Sequence, residues 1–268
     1  MKIDFKLICT ATFIIFISGC KGKAYRASSS SMEGTILAGE IFYVSRTSEF
    51  KRNDIVVFDY YGQDYSSPEK DGTFRMHWSK RVYRLIALSG DTLFIKEGEV
   101  IVNGRYIPLP PTALGDYTVL SKVPVDDFPV WQNIPPVLIY TNNRDSFLYN
   151  VKLAKEEADD YKQRKPAIVS VTIRIDETIF DDSLFAKSSV KGKWTPDNYG
   201  PLGIPSPGET ITVDSINYKL YKNVPGIRMG ANKITEPLYF VMGDDRHGSE
   251  DSRYIGFIAH SKMVGIVK

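Results

Sequence analysis

The segment from Phe74 to Leu88, FRMHWSKRVYRLIAL, alternates between two kinds of side chain. In an extended chain Met76, Trp78, Val82 and Ile86 fall on one face, and Arg75, His77, Ser79 and Arg81 on the other. A period of two belongs to a strand, since successive side chains point to opposite sides of a sheet. Lys80 and Arg84 break the pattern by sharing the apolar face. The flanking stretches agree. GEIFYVSR and DIVVFDYY are short, rich in β-branched and aromatic residues, and joined by the polar TSEFKRN. After Ser89-Gly90-Asp91 comes TLFIKEGEVIVNGRYIPL, in which Glu97-Gly98 and Asn103-Gly104 predict hairpin turns. The expected fold is mainly β.

With 268 residues, 43% of them hydrophobic and 25% charged, the chain can bury one large core or two smaller ones. Lys and Arg outnumber Asp and Glu by only 34 to 32, so there is no dense basic field of the kind that binds nucleic acid. Both cysteines, Cys9 and Cys20, lie in or at the end of the apolar N-terminal run. The rest of the chain therefore has no pair for a disulfide or a zinc site, and no metal or cofactor is expected.

That run, MKIDFKLICTATFIIFISGCKGK, places Lys2 and Lys6 before an uncharged stretch from Leu7 to Gly19, short of the ~20 apolar residues that cross a bilayer. It has the form of a secretory signal. Ile17-Ser18-Gly19-Cys20 resembles the lipobox of bacterial lipoproteins, which implies an acylated Cys20 as the mature N-terminus. An uncleaved anchor starting at Ile3 is the alternative. Both put the body outside the cytoplasm beside a membrane.

Proline clusters between Pro110 and Pro237 mark a second lobe, in which AIVSVTIRI and ETITV predict strands. VKLAKEEADDYKQR predicts a short helix with Ala154, Ala158 and Tyr161 on one stripe. The expected division is 1–19 signal or anchor, 20–109 first part of a catalytic core, 110–237 inserted lobe and 238–268 the end of the core.

Four serines, Ser28 to Ser31, precede Met32. A serine hydroxyl is a poor nucleophile until a base takes its proton. The histidines are His77, His247 and His260, and no G-x-S-x-G elbow accompanies them. Lys80, set among Met76, Trp78 and Val82, would lose hydration, which disfavours its charged form and suits it to act as a base. The bland alternative is that it reaches past its apolar neighbours to water.

Three blocks in order, SSSSMEGTILAGEIFYVSR, SKRVYRLIALSGDTLFI and YFVMGDDRHGSEDSRYIGFI, resemble the serine box, the lysine box and the C-terminal block of type I signal peptidases. WTPDNYGPLGIPSPGETI is similar to a segment of the longer members. The resemblance implies a signal-peptidase-like β-sheet catalytic core with a second, inserted β-rich lobe containing a short helix. It implies a membrane-associated Ser-Lys endopeptidase that removes signal peptides from exported precursors through an acyl-enzyme, with small residues before the cut. Residue by residue, it makes Ser31 the nucleophile and Lys80 the general base. Ser29 and the Ser31 backbone N–H form the oxyanion hole, and Ser249 orients the lysine. Arg81, Gly243, Asp244, Asp251 and Arg253 become structural groups at the site, with Arg81 expected to pair with Asp244 and Asp251 with Arg253.

Three positions depart from the family pattern. Gly34 stands where proline is usual, Ser89-Gly90-Asp91 replaces P-G-D, and Asp245 replaces the asparagine of G-D-N. The rival expectations are a related Ser-Lys protease for a few exported substrates, and a non-catalytic lipid-anchored binding protein on the same scaffold.

Overall fold

In a computed structural model, residues 22–68, 74–129, 136–142, 146–164, 166–175 and 194–268 are described. The apolar N-terminal run and Cys20 lie outside them. The main sheet has seven antiparallel strands in the order β1 (Lys23–Arg26), β2 (Ile41–Ser45), β17 (Met263–Val267), β3 (Ile55–Pro68), β4 (Phe74–Leu88), β15 (Leu238–Met242) and β16 (Ile258–Ala259). The C-terminal strands are thus woven between and beside the N-terminal ones. A second sheet runs β12 (Tyr199–Gly203), β5 (Thr92–Lys96), β6 (Glu99–Val102), β7 (Arg105–Ile107). Its turns are the expected ones: Glu97, Gly98, Asn103 and Gly104 all have positive φ, the backbone that tight hairpins need.

A third sheet, β11 (Ile168–Ile173), β8 (Leu114–Ser121), β10 (Ser146–Ala154), β9 (Val137–Asn142), carries the helix α1 (Lys155–Gln163). Ala158 and Tyr161 face inward from the helix, and the Glu157 carboxylate accepts the Ala154 N–H at its start. The last pair is β13 (Thr210–Val213) with β14 (Gly230–Lys233). The fold is mainly β.

One core cluster holds Met32, Val56, Phe58, Tyr83, Leu85 and Val241 on the main sheet, and another joins Ile86, Phe240 and Met242 to Leu93, Val100 and Tyr199 of the second sheet. The C-terminal half of β4 is consequently covered on both faces. Its N-terminal half is not: Met76 is 47% and Trp78 58% exposed, because the long β3–β4 hairpin extends beyond the other layers. The face that reads as apolar in the sequence is therefore an open one, and Lys80 is exposed with it. The dehydrated lysine expected there is replaced by one in contact with water.

Candidate active site

After β1 the chain makes a closed loop, with Ala27 N–H donating to the Glu40 carbonyl and Gly39 N–H to that of Ala27, each at 2.8 Å. Inside it, Glu33 N–H bonds the Ser30 carbonyl and both Thr35 and Ile36 N–H bond that of Met32. Met32, 1% exposed, plugs the loop into the core and fixes Ser31 beside it. Gly34 has φ +89°, and a Cβ there would come within 2.0 Å of the Thr112 carbonyl oxygen. Proline, confined to negative φ, cannot occupy this turn. Glycine is thus the residue this backbone requires, in a turn closed by hydrogen bonds from Thr35 and Ile36.

The C-terminal block crosses behind the serine. Asp245 N–H donates to the Ser31 carbonyl at 3.1 Å, and a Cβ on Gly243 would meet that same oxygen at 2.5 Å and the Ser249 Cβ at 2.4 Å. Asp251 and Arg253, both essentially inaccessible, form a two-pronged pair: Arg253 Nε donates to Asp251 Oδ1 at 2.9 Å and Nη2 to Oδ2 at 2.8 Å. Burial alone would raise the Asp251 carboxyl. Arg253, the Gly243 N–H and the Ser249 hydroxyl outweigh it and hold the carboxyl below its ordinary range.

The other expected pair forms differently. Asp244 is bound by Arg84, at 2.8 Å and 2.6 Å, and by the Thr35 hydroxyl at 2.6 Å. Arg81 instead reaches Glu250, its backbone carbonyl and its carboxylate each at 3.0 Å, while its guanidinium lies 4.0 Å over the Tyr60 ring. The sheet register explains the exchange, since Met242 pairs with Arg84 and delivers Asp244 to it.

Ser31, 8% exposed, opens into a cleft of about 430 Å³ bordered by β1, the serine loop, β4 and the Gly248–Glu250 turn. Ser29 Oγ donates to Ser31 Oγ at 3.3 Å. On the β4 wall Tyr83, 3% exposed, donates its hydroxyl to the Glu250 carbonyl at 3.0 Å. Burial is the main influence on the phenol and pushes it up to about 12, against the pull of Arg81 and Ser31. Lys80 also borders the cleft, but its Nζ donates to Asp59 Oδ1 at 2.5 Å, directly across the β3–β4 ladder. Three residues apart on a regular strand, Lys80 and Tyr83 point to opposite faces.

Against this geometry, a sequence profile of the family described as "Signal peptidase, peptidase S26" matches residues 3–147 and 150–268. The chain belongs to that family. Among curated proteins it is similar to "Signal peptidase I" of Aquifex aeolicus (strain VF5), 25% identical over 259 residues, covering 94% of this chain and 76% of the relative. It is also similar to "Signal peptidase I" of Bacillus licheniformis, 31% identical over 108 residues, 39% of this chain and 50% of that one. Membership of the S26 family puts the chain among the serine endopeptidases of the signal-peptidase type.

Of the residues singled out in the sequence, Ser29, Ser31, Gly243, Ser249, Asp251 and Arg253 meet in one neighbourhood, with Ser249 Oγ donating to Asp251 at 2.7 Å. Lys80 is held by Asp59 and Ser249 by Asp251. Of the histidines, His77 borders the cleft, whereas His247 and His260 sit elsewhere, His247 on Asp197 and His260 on Tyr239. Tyr83, Glu250 and Thr35 were not singled out, and Arg84 only as a break in the strand pattern. For Tyr83 a signal existed: His77, Ser79 and Arg81 share a face of β4, and the next residue in that series is 83.

Proposed function

We propose that this S26 peptidase works on the extracytoplasmic side of a membrane and releases exported proteins from their signal peptides, with Ser31 as nucleophile. Ser31 Oγ attacks the scissile carbonyl and forms an acyl-enzyme that water hydrolyses. The Ser29 hydroxyl and the Ser31 backbone N–H receive the developing oxyanion. The observation that carries this reading is the pinning of Ser31: its main chain is fixed by Met32 on one side and by Asp245 on the other, while its hydroxyl faces the cleft. A nucleophile held in this way loses little freedom on reaching the attack geometry.

The cleft suits an extended peptide. β1 is an edge strand of the main sheet and among the described residues pairs only with β2, and its residues Tyr25 and Arg26 border the cleft just ahead of the serines. A substrate strand laid along that edge gains main-chain hydrogen bonds and presents alternate side chains to the walls. The membrane assignment rests on the N-terminal signal with its lipobox-like Cys20, since no helix among the described residues is long and apolar enough to cross a bilayer. Residues 110–237 then form the insertion in the catalytic core, from which β12 returns to pair with β5.

Cleavage of an exported precursor by the purified chain tests the reading. Ser31→Ala is expected to lower the rate by more than about 10³-fold with the fold retained, and cleavage that persists in that variant rejects the assignment. Mass spectrometry of the mature N-terminus reports on Cys20 separately.

A further inference from the structure

Resting on Ser31 as the nucleophile, we infer that Lys152, on β10 of the third sheet, is a positioning residue for the peptidase reaction: through Asp245 it holds the main chain of Ser31 and a turn that borders the cleft. Three observations carry this. Lys152 Nζ donates to Asp245 Oδ1 at 2.6 Å, a pair nearly closed to water, its side chains 14% and 1% exposed. The same Oδ1 accepts the Gly248 N–H at 3.1 Å, and a Cβ on Gly248 would meet Asp245 Oδ2 at 2.1 Å, so the turn from Asp245 to Gly248 closes tightly around this carboxylate. The Asp245 N–H donates to the Ser31 carbonyl at 3.1 Å, and Gly248 lies on the cleft wall.

Lys152 stands on a fixed support. Its neighbours Val151 and Leu153 are buried in the core of the third sheet, and alternation along β10 turns Lys152 to the opposite face, where it meets the catalytic block. Main-chain bonds join the two beside it, from Leu114 N–H to the Asp244 carbonyl at 2.8 Å and from Arg246 N–H to the Leu114 carbonyl at 3.1 Å. Those bonds place the segment, and Lys152 sets a charge against the Asp245 carboxylate. Asp116, opposite Lys152 in the β8–β10 register, lies 3.7 Å from the same amine and 3.3 Å from a ring nitrogen of His247. Asp245 is the nearer partner of the lysine.

The charge at position 245 is what gives the lysine its role. Asp245 stands where asparagine is usual in this family. An amide there would accept the Gly248 N–H with no charge to neutralise. A buried carboxylate that loses its cation either takes up a proton or turns toward water. Both outcomes slacken the turn and draw the Asp245 N–H away from the Ser31 carbonyl. The Ser31 N–H belongs to the same short stretch of main chain and receives the oxyanion, and a misplacement of about 1 Å at such a site costs about 10²-fold in rate. The edge strand β1, along which the substrate lies, is held by β2 on the main sheet, so binding is expected to persist.

The test is precursor cleavage by the full chain, run below the melting transition that circular dichroism records for each variant. Lys152→Met is expected to lower kcat about 10- to 100-fold and to leave KM within about twofold. Made together with Asp245→Asn, the same substitution is expected to bring kcat to within about threefold of Asp245→Asn alone, because the amide strands no charge. Links that merely fastened the third sheet would lower the melting temperature in both backgrounds and leave kcat of the folded protein unmoved. Should Lys152→Met fail to fold, Lys152→Gln, which keeps a donor and loses the charge, is read in the same way. An unchanged kcat on loss of the lysine, or a fall of the same size with and without Asp245→Asn, would overturn the inference while leaving Ser31 as nucleophile. Cleavage that survives Ser31→Ala would instead remove the reading beneath it.

Discussion

Asp244 shows what a single buried charge demands of its neighbours. It has no solvent exposure and is held by Arg84 and Thr35, with Arg84 only 11% exposed. Replacing Arg84 by Met would leave the carboxylate buried without its counter-charge, a loss that costs about 3–5 kcal/mol. Urea unfolding of Arg84→Met is expected to show a destabilisation of that size, and one below about 1 kcal/mol would mean that water or Thr35 alone satisfies Asp244. Ser29 sits at the other extreme. Its exposed hydroxyl donates to that of Ser31 at 3.3 Å. Ser29→Ala is therefore expected to leave stability within about 0.5 kcal/mol of wild type while lowering kcat about 10²-fold or more.

The serine turn is an element whose shape is dictated at one position. Gly34, with φ +89° and a carbonyl oxygen where a side chain would begin, sets the path by which Thr35 returns to Asp244 and Ser31 meets Asp245. Gly34→Pro, although it restores the residue usual in this family, is expected to destabilise the chain by about 2–4 kcal/mol and to reduce cleavage. Thermal melts and precursor assays of that variant check both effects, and unchanged melting would show that the turn can invert. The β3–β4 hairpin is shaped in the opposite way, by what is missing around it. Tyr61 and Trp78 meet at 5.3 Å, and Lys262, from the turn ahead of β17, lies 4.5 Å over the indole, which leaves both rings largely open to solvent.

Across the whole molecule, the third sheet is fastened to the catalytic block by polar links. Leu114 N–H donates to the Asp244 carbonyl, Arg246 N–H to that of Leu114, and Lys152 reaches Asp245 at 2.6 Å, while His247 ties the same block to Asp197, just ahead of β12 in the second sheet, at 2.7 Å. The second ring nitrogen of His247 lies 3.3 Å from Asp116, close enough for charge attraction but misaligned as a hydrogen bond. Burial alone would lower the imidazole, and the two carboxylates more than reverse it, raising it from 6.5 to about 9. A raised value means that the folded state holds a proton the unfolded chain has released. The stabilisation is complete below pH 6.5 and is lost as pH rises through about 9. His247→Gln is expected to cost about 2–3 kcal/mol at pH 6 and little at pH 10, measured by chemical unfolding at both. An equal cost at the two values would show that the proton is not involved.

The sequence by itself determined the strand character, the two hairpin turns, the short helix and the order of the three blocks, because periods of two, turn residues and motif spacing are local properties of the chain. It brought Ser29 and Ser31 to attention for the same reason. Which face of β4 is covered, which arginine meets Asp244 and which side chain stands beside Ser31 were decided only by the tertiary structure. Each depends on sheet register and on what lies across the sheet. The apolar run at Met76 and Trp78 stays open because no layer among the described residues covers it, and three steps along β4 separate the amine that meets Asp59 from the buried phenol of Tyr83 on the other face.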